Sequence, residues 1–180
     1  YFKYEKSSAF DFLKQWEVSF EDQFSGKSLD PAKWTANSYW ADRLIGDNFS
    51  QEGDLQAYTG GKNCQVNQNR LSILVKKEKA EGKRWLPALG LVPDSFSYTS
   101  DTLSTCRSFS QKEGIFEARI RFNPCRQVVQ SFHLQGESAS LQVSLMEAGP
   151  ACRAGLLEYS TAGKPHFRGV DLKNLKKGVD

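Results

Sequence analysis

Apolar and polar residues alternate over residues 141–145, and the alternation breaks just before Glu147. Because the side chains of a strand point alternately to its two faces, the three apolar residues share one face, and Gln142 and Ser144 share the other. In a regular strand Glu147 would join the apolar face. One extra residue in a β-bulge near residues 145–146 would return it to the face of Gln142 and Ser144.

This spacing is typical of a catalytic strand of the form Glu-x-Asp-x-x-Glu, which places acids in one cleft. Retaining glycosidases need two carboxyl groups about 5–5.5 Å apart, one as nucleophile and one as acid/base. Here Gln142 is an amide, Ser144 is a hydroxyl, and only Glu147 can ionise. The alternative is an ordinary half-buried strand followed by an exposed glutamate, and these six residues alone favour it.

The rest of the chain indicates short strands joined by polar turns, with no internal repeat and no linker. We expect strands at 18–20, 71–76 and 114–122. Turn signals occur at 25–26, 47–48, 60–61, 67–69 and 149–150. Residues 1–15 read as an extension with a short helical turn, and residues 78–94 as a long connection. The pattern predicts one all-β domain spanning 1–180.

Composition excludes several classes of function. A net charge of +3 is too small to indicate nucleic-acid binding, and no apolar run approaches the roughly 20 residues of a transmembrane helix. The four cysteines lack metal-ligand spacing, so we predict neither a metal site nor a cofactor. We favour free thiols, and Cys125 and Cys152, which flank the key strand, are the pair to test first for a disulfide.

Several blocks resemble glycoside hydrolase family 16, which includes laminarinases, lichenases and agarases. DLQAYT at 54–59 is similar to the family's usual Glu-Leu-Gln-x-Tyr-Thr, and GIFEARI at 114–120 is similar to its Gly-x-Phe-Glu-Ala-Arg-Ile. The other similar blocks, in the same order as in the family, are WEVSFEDQF at 16–24, LDPAKW at 29–34, residues 66–78, FSYTS at 96–100 and Phe109. Together the blocks are far more specific than any one of them.

The resemblance implies a concanavalin-A-like jelly-roll sandwich of two antiparallel sheets, with a glycan in the concave cleft. The family's catalytic strand reads Glu-Ile-Asp-Ile-Met-Glu. Laid on this chain, it puts the nucleophile at Gln142, the assisting acid at Ser144 and the acid/base at Glu147. A neutral amide cannot attack the sugar and leave as a carboxylate, so two of the three roles are vacant.

The expected sugar-binding residues also depart from the family. Its Trp-Pro-Ala-Phe-Trp-Leu is replaced by VQSFHL at 129–134, which removes both indoles and leaves His133 to face the cleft or to lie on the surface. Asp54 stands where the family has glutamate. Trp40, expected in a loop near the cleft, and Trp85 offer flat apolar area to a sugar, although tryptophan is more often a core residue.

The resemblance covers about the first two-thirds of a typical family domain. We expect a fragment, a reduced sandwich that is incomplete at its C-terminal end, or a gap filled by another segment. Open sheet edges would promote association. The resemblance also implies secretion or surface display and a polysaccharide or oligosaccharide partner, and it leaves calcium open.

Three hypotheses follow. The one that we favour is a carbohydrate-binding domain, derived from a family 16 hydrolase, that recognises a β-glucan or galactan without hydrolysis. The second is an active hydrolase with a rebuilt site, using Glu147 as acid with Glu52, Asp54 or Glu137 as partner. The third is a structural or interaction module that binds no glycan.

Overall fold

The computed structural model of the chain describes residues 16–121, 127–136, 141–149, 152–159 and 165–171. Ten β-strands and one short helix lie in this part of the chain, which confirms the all-β class. The described residues up to Gly114 form one compact unit, here called the N-terminal unit. Those from Ile115 onward form a second, the C-terminal unit. The helical turn expected within 1–15 lies outside the described residues.

The N-terminal unit is built from three strand pairs and the helix. Strand β1 pairs with β6 in parallel, whereas β2 with β3 and β4 with β5 are antiparallel. The elements are α1 (Tyr39–Ile45), β1 (Gln56–Tyr58), β2 (Cys64–Val66), β3 (Leu71–Ile73), β4 (Ala80–Leu86), β5 (Gly90–Phe96) and β6 (Tyr98–Ser100).

The turn between β2 and β3 confirms the prediction at residues 67–69. The backbones of Asn67 and Arg70 exchange hydrogen bonds of 3.0 and 3.1 Å. Between them Gln68 and Asn69 have φ angles of 51° and 55°. Two successive residues with positive φ form the tight turn whose twist matches that of a hairpin. The strand predicted at 71–76 is shorter than expected, because β3 ends at Ile73 and Lys76 makes only an isolated bridge to Thr99.

The long connection predicted at residues 78–94 was wrong, because these residues form most of the β4–β5 hairpin. Seven residue pairs run from Ala80 opposite Phe96 to Leu86 opposite Gly90. Burial alternates along β4, with every second residue half-buried and those between exposed. The two strands supply each other's backbone hydrogen bonds, so charged residues such as Glu81 and Lys83 remain compatible with the sheet.

Helix α1 was missed, since the residues around Trp40 were expected to form a loop. Its caps explain why it forms. The Ser38 hydroxyl accepts a hydrogen bond from the Ala41 amide at 3.3 Å, as an N-cap residue does. At the other end Gly46 adopts the left-handed conformation, with φ of 67°, and its amide donates to the Asp42 carbonyl. Ala41 is fully buried against the unit.

A buried polar network ties the N-terminal unit together. The Asp101 carboxylate accepts hydrogen bonds from the Thr59 amide and hydroxyl, at 3.0 and 2.6 Å, and from the Gly61 and Asn63 amides, at 3.1 and 2.7 Å. The Asn63 side chain then donates to the Thr99 hydroxyl at 2.8 Å. Because Asp101 is buried, these donors take the place of water around its charge.

The C-terminal unit contains one four-stranded antiparallel sheet with spatial order β10-β9-β8-β7. Its strands are β7 (Gln130–Gln135), β8 (Leu141–Ala148), β9 (Cys152–Tyr159) and β10 (Pro165–Asp171). Each strand therefore lies beside its neighbour in the chain. The turn signal at 149–150 coincides with a bend at Gly149, and its second residue lies outside the described part.

Two predicted strands were wrong. Residues 114–121 belong to no strand despite their clear alternation, and Phe122 lies outside the described residues. Residues 18–20 likewise form none. A strand needs a neighbour to bond with its backbone, and alternation specifies only which face is apolar.

Candidate functional site

A β-bulge lies in β8 at the position that the sequence predicted. Across from β7, Met146 pairs with Phe132 and Ser144 pairs with His133, so Leu145 is an extra residue. The pairing with β9 shows the same insertion, since five steps along β8, from 142 to 147, match four steps along β9. The predicted bulge near 145–146 is therefore confirmed.

The bulge brings three positions of the proposed catalytic strand into one alternate row. Positions 142, 144 and 147 pair with Gln135, His133 and Ser131 of β7, respectively. These three β7 residues are spaced two apart, so their side chains point to the same face of that strand. Directly opposed residues share a face. Without the extra residue, position 147 would fall in the other row. We call Ser131, His133, Gln135, Gln142 and Ser144 the polar face.

Side-chain contacts agree with this register. The Gln142 amide donates from Nε2 to the Ser144 hydroxyl at 3.2 Å. On the neighbouring strand, the Ser131 hydroxyl lies 3.4 Å from Nδ1 of His133. Both contacts join residues two apart, as expected for side chains on the same face of a strand. His133, expected either in the cleft or on the surface, is an exposed side chain of this face.

The polar face offers neutral hydrogen-bonding groups where a hydrolase would need carboxylates. Ser144 is only 2% exposed, whereas Gln142 is half-buried and sits beside it. The Gln142 side chain donates one amide N–H to the Ser144 hydroxyl. Its amide oxygen accepts no hydrogen bond from a described residue. An amide both donates and accepts, which suits Gln142 to hydroxyl ligands, whereas the buried Ser144 hydroxyl orients that amide.

Position 147 is defined by its backbone register, with Ser131 opposite on β7 and Arg153 opposite on β9. Two of the three partners suggested for Glu147 in a rebuilt hydrolase, Glu52 and Asp54, are not in this sheet. Glu52 is exposed in the N-terminal unit, Asp54 belongs to the same unit, and Glu137 lies outside the described residues.

The remaining sugar-binding candidates also belong to the N-terminal unit. The Asp54 carboxylate accepts from the Gln51 amide at 2.7 Å, and its carbonyl accepts from Arg84 at 2.9 Å. Trp85 follows that arginine in β4, is 39% exposed, and has its ring 6.3 Å from that of Phe49. Trp40 lies in α1 rather than in a loop, and its side chain is not described.

The N-terminal unit also contains a groove of about 890 Å³ that sequence reasoning missed. Its walls come from residues 27–37, residues 60–67 and Arg107, which are distant in the sequence. Trp34 and Lys62 are among its lining residues. The only sequence signal was the Gly60-Gly61 turn, which we predicted as a turn without assigning it a ligand.

The cysteines in the N-terminal unit are free, in agreement with the prediction for Cys64 and Cys106. Burial, together with the nearby Asp101 carboxylate, raises the pKa of the Cys64 thiol to about 12, so this thiol is not a nucleophile near neutral pH. Cys125 lies outside the described residues, and Cys152 is defined by its backbone pairing with Ala148.

No group of three or more histidine, cysteine, aspartate or glutamate side chains that could hold a metal occurs among the described residues. Within the same ranges, no helix is long and apolar enough to span a membrane.

Comparison of the chain with models of protein families, with curated proteins and with solved structures finds no match in any of the three.

Proposed function

We propose that this chain is a carbohydrate-binding domain, derived from a family 16 glycoside hydrolase, that recognises a β-glucan or galactan without hydrolysing it. The polar face of β7 and β8 is the proposed contact surface. The proposal includes the finer fold, in which the strands belong to a concanavalin-A-like jelly roll, and a secreted or surface location.

One observation carries the proposal: the bulge at Leu145 sits in a strand whose first two site positions are neutral. A bulge is retained where a strand must re-aim a side chain, and bulges are over-represented beside active sites. Here it puts position 147 in the row of Gln142 and Ser144. The geometry of an acid-bearing strand is thus combined with an amide and a hydroxyl.

The chemistry of those groups supports binding rather than cleavage. A retaining mechanism requires a carboxylate nucleophile opposite the acid/base, and the Gln142 amide cannot form and release a glycosyl ester. It can donate and accept hydrogen bonds with sugar hydroxyls, as can the exposed His133 of the neighbouring strand β7. Such groups fix the orientation of a ligand without attacking it.

Affinity electrophoresis tests this function. The chain is run through gels containing laminarin, mixed-linkage β-glucan, agarose or carrageenan, with a reference protein of similar size that binds no polysaccharide. We expect at least one polysaccharide to retard the chain relative to the reference. Unchanged migration in all four gels would overturn the proposal and favour a structural or interaction module.

A further inference from the structure

We propose that the groove of the N-terminal unit is a second binding site, and that it takes an anionic oligosaccharide bearing carboxylate or sulfate groups. The groove is an open depression with a volume of about 890 Å³, which is within the usual range for sites that bind small ligands. All of its lining residues lie between Lys27 and Arg107. The site therefore does not rest on the polar face of the C-terminal unit.

The charge of the groove indicates an anion. Three cationic residues, Lys27, Lys62 and Arg107, line it, and no aspartate or glutamate is among its lining residues. The charge of Arg107 is already paired, because its guanidinium donates two hydrogen bonds to the Asp42 carboxylate. These bonds are the main reason that the pKa of Asp42 lies below its usual value, so the pair stays ionised.

The two lysines supply the remaining positive charge. Neither Lys27 nor Lys62 forms an ion pair with any residue in the described ranges, and both side chains are exposed. A lysine ammonium is a point charge with freely rotating donors, so it accepts either a carboxylate or a sulfate group. Two such charges on one groove attract an acidic ligand without fixing the geometry of its anionic group.

The uncharged part of the groove indicates a sugar rather than a simple anion. The amide-bearing Gln65 and Asn67 are among its lining residues, as are the apolar Leu29, Trp34 and Val66. Sugars present both hydroxyl groups and C–H faces, which match amide and apolar surfaces respectively. An inorganic anion would make no use of the apolar wall.

Trp34 is held in a fixed orientation before any ligand arrives. Its indole N–H donates to the Asp22 carboxylate at 2.8 Å, and its ring stacks on Phe24 with the centroids 5.8 Å apart. The edge contact with Phe20, at 5.7 Å, packs the ring from another direction. A wall that is ordered in advance lowers the entropy lost on binding.

A nucleic acid fits this groove less well. Affinity for a phosphate backbone comes from neutralising many phosphates, which needs a run of cations. Two unpaired lysines in a chain with a net charge of +3 do not provide one.

The test removes both free charges. The variant Lys27→Gln/Lys62→Gln is compared with the parent and with Lys76→Gln/Lys77→Gln, a control that loses the same charge from exposed residues outside the groove. Affinity electrophoresis uses polygalacturonate for the carboxylate and carrageenan for the sulfate, with laminarin as a neutral polymer. Circular dichroism verifies that all three proteins fold.

We expect polygalacturonate, carrageenan or both to retard the parent and the control equally. In the groove variant the affinity should fall by about tenfold, the effect of two exposed charge interactions. The polymer that binds identifies the anionic group. Failure of both polymers to retard the parent, or an equal loss in the control, would overturn the proposal.

The outcome is separable from that of the proposed function. Retardation by laminarin should be unchanged in the groove variant, because that interaction is assigned to the polar face. The substitution Gln142→Ala should in turn leave binding to polygalacturonate unchanged. Either proposed site can thus be refuted without refuting the other.

Discussion

The Gln142 amide donates a hydrogen bond to the Ser144 hydroxyl at 3.2 Å, within a strand whose bulge aligns both residues with position 147. In an acid-bearing strand these first two positions would repel each other when ionised. Here they attract and hold each other in place. The pair gives the polar face an oriented amide instead of a nucleophile.

The parent should release no reducing ends from laminarin, mixed-linkage β-glucan, agarose or carrageenan. Restoring both acids, in Gln142→Glu/Ser144→Asp, should give measurable release from the polysaccharide that the parent binds, because a nucleophile would again stand opposite the acid/base. The control adds Glu147→Gln to the restored variant and should remove that activity. Release by the parent itself would favour the hydrolase hypothesis.

Asp101→Ala should lower the free energy of unfolding by about 3 kcal/mol, because four donors that now meet its carboxylate would lose their partner in a buried site. Asp30→Ala, which removes an exposed carboxylate with one backbone donor, should cost less than about 1 kcal/mol. Urea denaturation measures both. Equal losses of unfolding free energy would show that the buried Asp101 network stabilises the unit no more than an exposed carboxylate does.

Gly155→Ala should lower the free energy of unfolding by at least about 2 kcal/mol. Gly155 has a φ of 155°, and an added Cβ would lie 2.4 Å from the Arg168 carbonyl oxygen and 2.5 Å from the Gly169 Cα on strand β10. Gly26→Ala is the matched control, since its added Cβ would meet only the backbone oxygen and nitrogen of Ser28, at ordinary distances of 3.4 and 3.9 Å. Thermal unfolding of both variants checks the prediction, and a stable Gly155→Ala would contradict the β9–β10 pairing.

Cys64 should react with iodoacetamide more than about a hundredfold more slowly than glutathione at pH 8, because only thiolate reacts and its pKa is about 12. Its rate should rise with pH up to that value. Peptide mapping by mass spectrometry separates Cys64 from the other cysteines. Modification as fast as that of glutathione would show that the thiol is not buried near the Asp101 carboxylate.

Local patterns predicted the parts of the fold that local chemistry decides. The parity of residues 141–147 indicated where a bulge would return Glu147 to the face of Gln142 and Ser144, and the resemblance to the family's catalytic strand gave an independent reason to expect one. The Asn67-Gln68-Asn69 turn was predicted because asparagine tolerates positive φ. Helix α1 carried a comparable signal in Ser38 and Gly46, which flank seven residues as caps do, and it was missed.

Contacts between distant segments were not predictable in the same way. Alternation at 114–122 predicted a strand, but no pattern within a segment identifies a strand that will pair with it. The hairpin at 80–96, which was predicted to lie mostly in a long connection, was missed for a related reason, because its two strands are defined by their pairing with each other. The groove was invisible because its walls meet only after the chain folds, bringing Lys27, Lys62 and Arg107 together.

Retardation of the parent and of Gln142→Ala, run side by side in the laminarin, mixed-linkage β-glucan and agarose gels, tests the central claim most directly, because these neutral polysaccharides lack the anionic groups assigned to the groove. Gln127→Ala, which removes an exposed amide of the same unit outside the sheet, is the control. We expect at least one of these polysaccharides to retard the parent and the control equally and to bind Gln142→Ala roughly threefold to tenfold more weakly, as expected for one lost hydrogen bond. Equal retardation of all three proteins, or of none, would contradict it.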